Sequence, residues 1–379
     1  MIVPNQKIWL SSPHMGGGER QYVQEAFDTN WIAPLGPNVV GFEKDLENYL
    51  SQDVYVAALS SGTAAIHLGL ILLDVKQGDE VLCQSFTFSA SANPIIYQGA
   101  APIFIDSEPE TWNICPNALE EAIKDRIAKG KKPKAIIAVH LYGMPYKVDE
   151  VRAVANRYEI PILEDSAEAL GSSYQNQKCG TFGDISVLSF NGNKIITTSG
   201  GGALVSKSKK ISDKAVFFAT QARDAAPHYQ HSEIGYNYRM SNICAGIGRG
   251  QMQVLDDHVA KRREMNQFYQ NIFKANSAIK VFSEPNNNLF SNHWLSCITI
   301  NAQNNNGKSR EDLRLHLEKF NIESRPLWKP MHMQPFFKNA SYYGEKVCET
   351  LFENGLCLPS GSNLTPADKQ RLTEIISIF

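Results

Sequence analysis

The chain has 379 residues, of which 43% are hydrophobic, enough for one large domain with a sizeable core and a smaller second domain. Its 37 basic and 39 acidic side chains leave a formal net charge of -2, which excludes a global field that recruits nucleic acid or acidic lipid. Seven cysteines without a C-x-x-C pair argue against a disulfide framework and a metal site. Without a signal-peptide pattern or an apolar run long enough for a bilayer, we expect a cytoplasmic protein with no membrane partner.

Two short helices are predicted ahead of the first strand. One begins at Glu19, after the Gly-rich loop 13–18, and the second follows the loop 30–37. Such an arm packs on a partner subunit or covers the core, and the pattern does not decide between the two. We predict residues 1–50 as this arm, residues 51–255 as the large domain and residues 256–379 as the small domain.

From Val54 onwards, β-rich runs alternate with helical periodicity. This alternation predicts an α/β fold with a mostly parallel sheet in the large domain, followed by a smaller C-terminal α/β domain. The predicted strands of the large domain are 54–59, 80–84, 102–106, 135–139, 161–165 and 185–190.

The first of these strands turns directly into a helix through Ser60-Ser61-Gly62-Thr63. Backbone N–H groups and the dipole at a helix N-terminus favour phosphate, although hydroxyl capping alone also explains these residues. Phe88 follows the second strand, at the sheet edge where α/β proteins bind ligands, and is a candidate for stacking on a flat ring.

Asp165 ends a short apolar strand, so its carboxylate should meet little water, which is costly without a cation. Lys194 follows a later strand and an Asn/Gly turn, beside two isoleucines. An amine taken out of water is more easily deprotonated and can attack a carbonyl group. Phosphate site, ring platform, carboxylate and amine are together the requirements of pyridoxal 5'-phosphate, PLP.

At these residues the chain resembles the DegT/DnrJ/EryC1/StrS sugar aminotransferase family, which belongs to the fold-type I PLP enzymes. The likeness covers nearly the whole chain, with segments such as S-S-G-T-A-A-I-H, E-D-S-A-E-A-L-G, S-F-N-G-N-K and G-Y-N-Y-R-M-S. Within the family, P-H-M-G-G, N-W-I-A-P-L-G and R-P-L-W-K-P-M-H are most similar to the branch that aminates UDP-4-keto-6-deoxy-N-acetylglucosamine for N-acetylbacillosamine.

The resemblance implies that Lys194 bonds to the cofactor aldehyde and that Asp165 pairs with the pyridinium nitrogen. Asn237 would reach the phosphate of the opposite subunit, which implies a homodimer with shared active sites. The residues implied to hold the cofactor ring and phosphate are Gly62, Thr63, Phe88 and Ser189.

Glu168 stands where many relatives carry Gln, and we expect it to contact the cofactor. Two roles are open for it: a hydrogen bond to the ring oxygen, or a pair with His14 that shapes the sugar pocket. The candidate contacts to the nucleotide-sugar are His14, Asn30, Trp31, Arg239, Arg325, Trp328 and His332.

Among these candidates, Arg325 or Arg239 would neutralise a diphosphate, and Trp31 or Trp328 would pack on a ring. A core or interface role suits both tryptophans equally well. The loop 219–238 is long enough to suggest a function, and Ser241 is expected to cap one long helix whose basic stretch 261–263 is solvated.

The expected reaction moves the amino group of L-glutamate to the C4 ketone of a UDP-linked 4-keto-6-deoxy sugar in two halves. The same reaction on a GDP- or dTDP-linked sugar is an open alternative, because the motifs around the cofactor do not determine which nucleotide is bound. A PLP-binding regulatory protein without catalysis fits less well, since no basic helix-turn-helix lies outside the core.

Overall fold

The computed structural model describes residues 6–51 and 53–379; positions 1–5 of the predicted arm and Gln52 lie outside the described residues. The helices are α1 (Glu19–Asp28), α2 (Pro37–Leu50), α3 (Gly62–Leu72), α4 (Ser89–Tyr97), α5 (Pro116–Ala128), α6 (Val148–Tyr158), α7 (Lys209–Ala219), α8 (Asn242–Met252), α9 (Leu255–Phe273), α10 (Arg310–Lys319), α11 (Val347–Asn354) and α12 (Pro366–Ser377). The strands are β1 (Tyr55–Leu59), β2 (Glu80–Gln84), β3 (Ala101–Ile105), β4 (Ala135–Val139), β5 (Ile162–Asp165), β6 (Ser173–Tyr174), β7 (Gln177–Lys178), β8 (Ile185–Ser189), β9 (Gly202–Ser206), β10 (Ile279–Val281), β11 (Leu289–Phe290), β12 (Ser296–Ile300), β13 (Arg325–Pro326), β14 (Tyr342–Tyr343) and β15 (Gly355–Leu358).

The large sheet has the order β1-β9-β8-β5-β4-β2-β3-β14 in the described chain. Neighbours from β8 to β14 run parallel, whereas β9 is antiparallel to both β1 and β8. One face packs against α3 and α7 and the other against α5 and α6, so the central strands are buried on both sides, as their apolar composition predicts. The predicted α/β fold with a mostly parallel sheet is confirmed, and the six predicted strands end within one residue of the observed ones.

The second sheet, β10-β12-β15-β13, is antiparallel and belongs to the C-terminal part of the chain. Its core joins residues of α9, α10 and α12, and it includes Ile8 near the N-terminus, which bridges to Ile322. After β13 the chain returns to the large sheet, where β14 pairs with β3 as the eighth strand. Residues 256–379 therefore contribute to both sheets.

The helix predicted after Ser241 is divided into α8 and α9 at residues 253–254. Ser241 does cap its first turn, accepting a hydrogen bond from the Ile243 N–H at 3.3 Å. The expectation that residues 261–263 are all solvated is wrong for Arg262, which is buried. Arg262 shares one face of α9 with Leu255, Val259 and Tyr269, and that face packs inward. Among the helices of residues 6–51 and 53–379, none has the length and apolarity to cross a membrane.

Candidate active site

A cavity of about 300 Å³ opens at the carboxyl edge of the large sheet. The ends of β5 and β8, the start of α3 and the segment before α4 form its walls, because the carboxyl ends of parallel strands share one edge. The residues of the sequence prediction that line it are Gly62, Thr63, Phe88, Asp165, Glu168, Ser189, Lys194 and Trp328.

One end of the cavity is suited to an anion. Gly62 and Thr63 are the first residues of α3, where backbone N–H groups have no acceptor within the helix. Ser61 caps this turn by accepting from the Ala64 N–H at 3.0 Å. A Cβ atom at position 62 would lie 3.0 Å from the Ser189 Cβ, so glycine leaves room for the Ser189 hydroxyl beside these amides. The arrangement fits a phosphate group.

Asp165 supplies a buried carboxylate, with only 4% of the residue exposed. Its Oδ2 accepts from the Ser91 hydroxyl at 2.7 Å, and its Oδ1 accepts from the Ala167 N–H at 3.1 Å. Both donors are neutral, and within the described residues Asp165 has no ion-pair partner. A buried carboxylate in this state fits a cationic ligand group such as a protonated pyridine nitrogen.

Lys194 is the amine of the cavity, and its side chain is 12% exposed. Its Nζ lies 3.5 Å from Glu168 Oε1 and 4.1 Å from the centre of the Trp294 ring. The other oxygen of Glu168 accepts from the Tyr142 N–H at 2.7 Å. Burial raises the pKa of Glu168 above its ordinary value, although the nearby Lys194 ammonium opposes this change.

The alternative in which Glu168 pairs with His14 is wrong. The His14 Nδ1 lies 3.0 Å from the Ser362 hydroxyl, and its ring stacks on His258 with the centres 4.7 Å apart. Glu168 is instead engaged by Lys194 and by the backbone of Tyr142. The predicted bond from Glu168 to the cofactor ring oxygen stays a prediction.

Two aromatic side chains border the opening. Phe88 is half exposed, and its ring centre lies 5.2 Å from that of Trp328. The Trp328 backbone N–H donates to the Tyr142 hydroxyl at 2.8 Å, and this hydrogen bond fixes Trp328 beside the cavity. Of the two tryptophans predicted to pack on a substrate ring, Trp31 and Trp328, only Trp328 lines the cavity.

Two predicted arginines lie outside the cavity, and both already have carboxylate partners. Arg239 donates to Glu43 and, at 3.0 Å, to the carbonyl of Ala58. Arg325 is largely exposed and pairs with Glu323 at 2.8 Å. Neither guanidinium is directed at the cavity in a single chain, so a diphosphate contact would require these ion pairs to open or a second subunit to contribute.

The remaining predicted substrate residues also lie outside the cavity. The His332 Nδ1 lies 2.7 Å from the Ser85 hydroxyl, and its Nε2 lies 3.4 Å from Glu349, so the ring fixes the loop after β13 to the end of β2. Asn30 and Trp31 are on an exposed loop, and Asn237 is exposed between Tyr236 and Tyr238. Their contacts with substrate or with a partner subunit stay predictions.

Ser91 and Trp294 also line the cavity, and the sequence did not point to either as a site residue. Ser91 lies in the first turn of α4, three residues after Phe88, a position from which a hydroxyl could have been expected to face the same edge. Trp294 lies 100 positions after Lys194, just before β12, and no local pattern marks it.

The anion site, the buried carboxylate and the lysine around one cavity define a PLP-dependent enzyme of fold type I. The sequence matches the DegT/DnrJ/EryC1/StrS aminotransferase family over residues 13–377, and the chain belongs to this family. Its cofactor is PLP, and it is a sugar aminotransferase.

Named relatives agree with this assignment. The chain is 51% identical to the Bacillus subtilis protein called "Putative pyridoxal phosphate-dependent aminotransferase EpsN", over 98% of this chain and 95% of that one. It is 37% identical to the GDP-perosamine synthase of Escherichia coli O157:H7, over 98% of both. The crystal structure of a DegT DnrJ EryC1 StrS aminotransferase from Brucella abortus superposes with a TM-score of 0.87 at 29% identity, covering 95% of each chain.

Proposed function

We propose that the chain transfers the amino group of L-glutamate to the C4 ketone of a UDP-linked 2-acetamido-2,6-dideoxy-4-keto-hexose, giving a UDP-4-amino sugar of the N-acetylbacillosamine type. The observation that carries this proposal is that Lys194, Asp165 and the start of α3 face one cavity. The UDP-sugar itself is supported by the sequence segments 13–17, 30–36 and 325–332.

Each residue at the cavity has a role in this proposal. Gly62, Thr63 and Ser189 would hold the phosphate, and Phe88 would cover the ring. Asp165 would favour a proton on the ring nitrogen, since its buried carboxylate is otherwise matched only by neutral donors. When bound, PLP supplies an aldehyde for amines and a ring that withdraws electrons from the attached carbon.

Lys194 has two tasks. It would hold the cofactor covalently between turnovers, and its free Nζ would serve as the base that takes up and returns a proton at the substrate carbon. Proton transfer requires the neutral amine, and the Glu168 carboxylate 3.5 Å away is the group with which this proton can be exchanged.

The active enzyme in this proposal is a homodimer in which Asn237 reaches the partner's phosphate site. The support is that Asn237 lies in a long loop that exposes two large apolar side chains in the single chain, Tyr229 at 79% and Ile234 at 83%. Trp31, Ile32 and Leu35 form a second group of exposed apolar side chains near the start of α2.

The second candidate is the same reaction on a GDP-linked 4-keto sugar. It is favoured by the relatives called GDP-perosamine synthase, which are 34% to 37% identical over nearly the whole chain. Incubating the pure protein with L-glutamate and the UDP-, GDP- or dTDP-linked 4-keto sugar, and measuring 2-oxoglutarate, separates the candidates. Turnover of the GDP sugar alone would replace the UDP proposal and leave the reaction type unchanged.

Lys194→Ala tests the reaction itself. We expect turnover to fall by at least about 10³-fold and the visible absorbance of the PLP-loaded protein to change, because the covalent attachment and the proton carrier are both lost. Lys207→Ala, at an exposed position, is the matched control and should keep both properties.

Mixing inactive variants tests the shared site. Lys194→Ala and Asn237→Ala chains, each nearly inactive alone, should regain activity when refolded together, because one site of a mixed dimer then contains both native residues. A mixture that stays as inactive as its components would contradict the contribution of Asn237 across subunits.

A further inference from the structure

Trp294 lies directly against the reactive amine. It is 1% exposed, and the Lys194 Nζ is 4.1 Å from the centre of its ring. The indole face is negative and attracts a cation, most strongly when water is excluded from the pair. Lys194 thus has an aromatic face on one side and the Glu168 carboxylate on the other; we refer to this pair of groups as the ammonium site.

The ring of Trp294 is tied to the segment that carries Lys194. Its indole N–H donates to the Asn193 carbonyl at 2.7 Å. Its own carbonyl accepts from Arg262 Nη1 at 2.6 Å, while Nη2 of the same guanidinium lies 3.5 Å from the Lys194 carbonyl. Because Arg262 is buried and joins both residues, the ring and the lysine backbone are held at a fixed separation.

The backbone of Trp294 is also tied to the strand end that carries Glu168. The Trp294 N–H donates to Asn292 Oδ1 at 2.8 Å, and Asn292 Nδ2 donates to the Glu168 carbonyl at 2.9 Å. Asn292 therefore bonds to the backbone of both residues of the ammonium site, Trp294 and Glu168, and positions one relative to the other.

The charged groups around this site come from several elements. Asp165 at the end of β5 and Glu168 three residues later line the same cavity as Lys194, and Arg262 approaches the Lys194 carbonyl from α9. His258, also on α9, lies 3.3 Å from the Ile195 carbonyl, one residue further along. Within the described residues, Glu168 is the only carboxylate within 4.0 Å of Nζ, so the face of Trp294 is the second group that stabilises the charge.

We propose that Trp294 is a positioning residue: its indole face holds the ε-ammonium of Lys194 beside Glu168 whenever this amine is not bonded to the cofactor. This inference rests on the proposed function, in which Lys194 is freed in each half of the reaction. The neutral amine becomes a cation once it has taken up the proton, and the indole face and Glu168 then hold this cation in a defined place until the proton is passed on. Without the indole face, the free lysine would occupy other rotamers.

The test uses full-length protein loaded with pyridoxamine phosphate, which carries an amine in place of the aldehyde and cannot bond to Lys194. A limiting amount of acetic anhydride is added, and acetylation of Lys194 is measured by peptide mass spectrometry relative to the exposed Lys132. We expect Trp294→Leu to raise this ratio about threefold to tenfold, because the amine is then held less firmly at the ammonium site and meets the reagent more often. Trp294→Phe keeps an aromatic face and should stay within about twofold of the native protein.

Site-specific replacement of Trp294 by a difluorinated tryptophan provides a second variant that keeps shape and the indole N–H. Fluorine withdraws charge from the ring face, so the ratio should rise in the same direction even if the Leu variant does not fold. An unchanged ratio in a folded fluorinated protein would overturn the proposal. In turnover, kcat should fall while the KM of the nucleotide-sugar stays constant.

The outcomes separate this inference from the proposed function. The acetylation ratio involves neither glutamate nor a sugar, so it can respond to Trp294 in a protein that fails every transamination assay. Conversely, if transamination is normal and the acetylation ratio is the same with and without Trp294, the positioning role is wrong and the proposed function is unaffected.

Discussion

Glu164 and Asp165 are consecutive residues of β5, both are buried, and their surroundings differ completely. Successive side chains of a strand point to opposite faces of the sheet, so only one of the two can face the cavity. Asp165 accepts two hydrogen bonds and lines the cavity. The donors to Glu164 are His140 Nε2, the Ser166 and Ser186 hydroxyls and the N–H groups of Gly180, Phe182 and Gly183.

The difference shows how one strand supports structure with one carboxylate and chemistry with the next. Burial alone would raise the pKa of Glu164, but the bonds from His140, Ser186 and Gly180 outweigh it and lower the pKa to about 2. Its charge is fully matched inside the protein. Asp165 is left with neutral donors, which leaves its charge available for a ligand.

Asp165→Asn should have the largest effect on catalysis. An amide cannot keep a proton on the ring nitrogen, so we expect kcat to fall about 10³-fold, the range seen when a preorganised electrostatic partner is removed. Stability of the PLP-free protein should be unchanged or higher, because an unmatched buried charge is removed. Urea unfolding and steady-state kinetics measure the two effects. If Asp165→Asn lost as much stability as a Glu164 variant, the proposed difference between the two carboxylates would be wrong.

Glu164→Gln should have the opposite signature. Breaking the buried pair with His140 is expected to lower the free energy of unfolding by about 3–5 kcal/mol. The fraction that remains folded should keep nearly native kcat, since Glu164 does not line the cavity. Chemical denaturation with parallel activity assays checks this, and an inactive but equally stable variant would contradict it.

The same pair predicts a pH dependence. The pKa of Glu164 is lowered from 4.5 to about 2, so its contribution to stability is complete above pH 4.5 and is lost as the pH falls towards 2. Urea midpoints measured between pH 5 and pH 3 should fall more steeply for the native protein than for Glu164→Gln. Parallel curves would show that the proton uptake on unfolding comes from other groups.

Glu168→Gln should have a smaller effect, about a tenfold loss of kcat. Burial raises the pKa of Glu168, so in the native protein its carboxylate is protonated as the pH falls, and Lys194 then loses its ion-pair partner. The acid limb of the pH–rate profile should therefore be displaced or absent in the variant. An identical acid limb would assign that titration to another residue.

Ser91→Ala should have the smallest effect. It removes one of the two hydrogen bonds to Asp165, and we expect PLP affinity to fall about threefold to tenfold, because a bond to a charged group is lost. Thr87→Val is the matched control, since Thr87 bonds to the Ser91 hydroxyl at 2.8 Å without touching the carboxylate. Affinity is measured by titrating the PLP-free protein with cofactor.

Much of the site could be predicted because its residues follow local patterns. Asp165 ends an apolar strand, Gly62 and Lys194 follow apolar strands after short turns, and strands that are parallel end at one edge of the sheet. Strand β9, which lies between β1 and β8 in the sheet, was not predicted, because its glycine start reads as a continuation of the preceding loop.

The rest depends on contacts between distant parts of the chain. Whether Arg239 is free or paired is decided by Glu43, nearly two hundred positions earlier. The burial of Arg262 could have been predicted from the inward face of α9, but its carbonyl partners, on Trp294 and Lys194, could not. The substrate contacts predicted for residues 30–37 and 325–332 stay predictions, because no local pattern tells which of these side chains meets a bound sugar.

The eighth strand of the large sheet has a consequence for how the protein is made. Tyr342 and Tyr343 complete the sheet beside β3, and β3 itself is finished by residue 105. During synthesis the ribosome must therefore add more than two hundred residues while the polar edge of β3 has no strand beside it. Truncated or stalled chains that end before residue 342 retain this open edge, and open edges invite aggregation in a crowded translation environment.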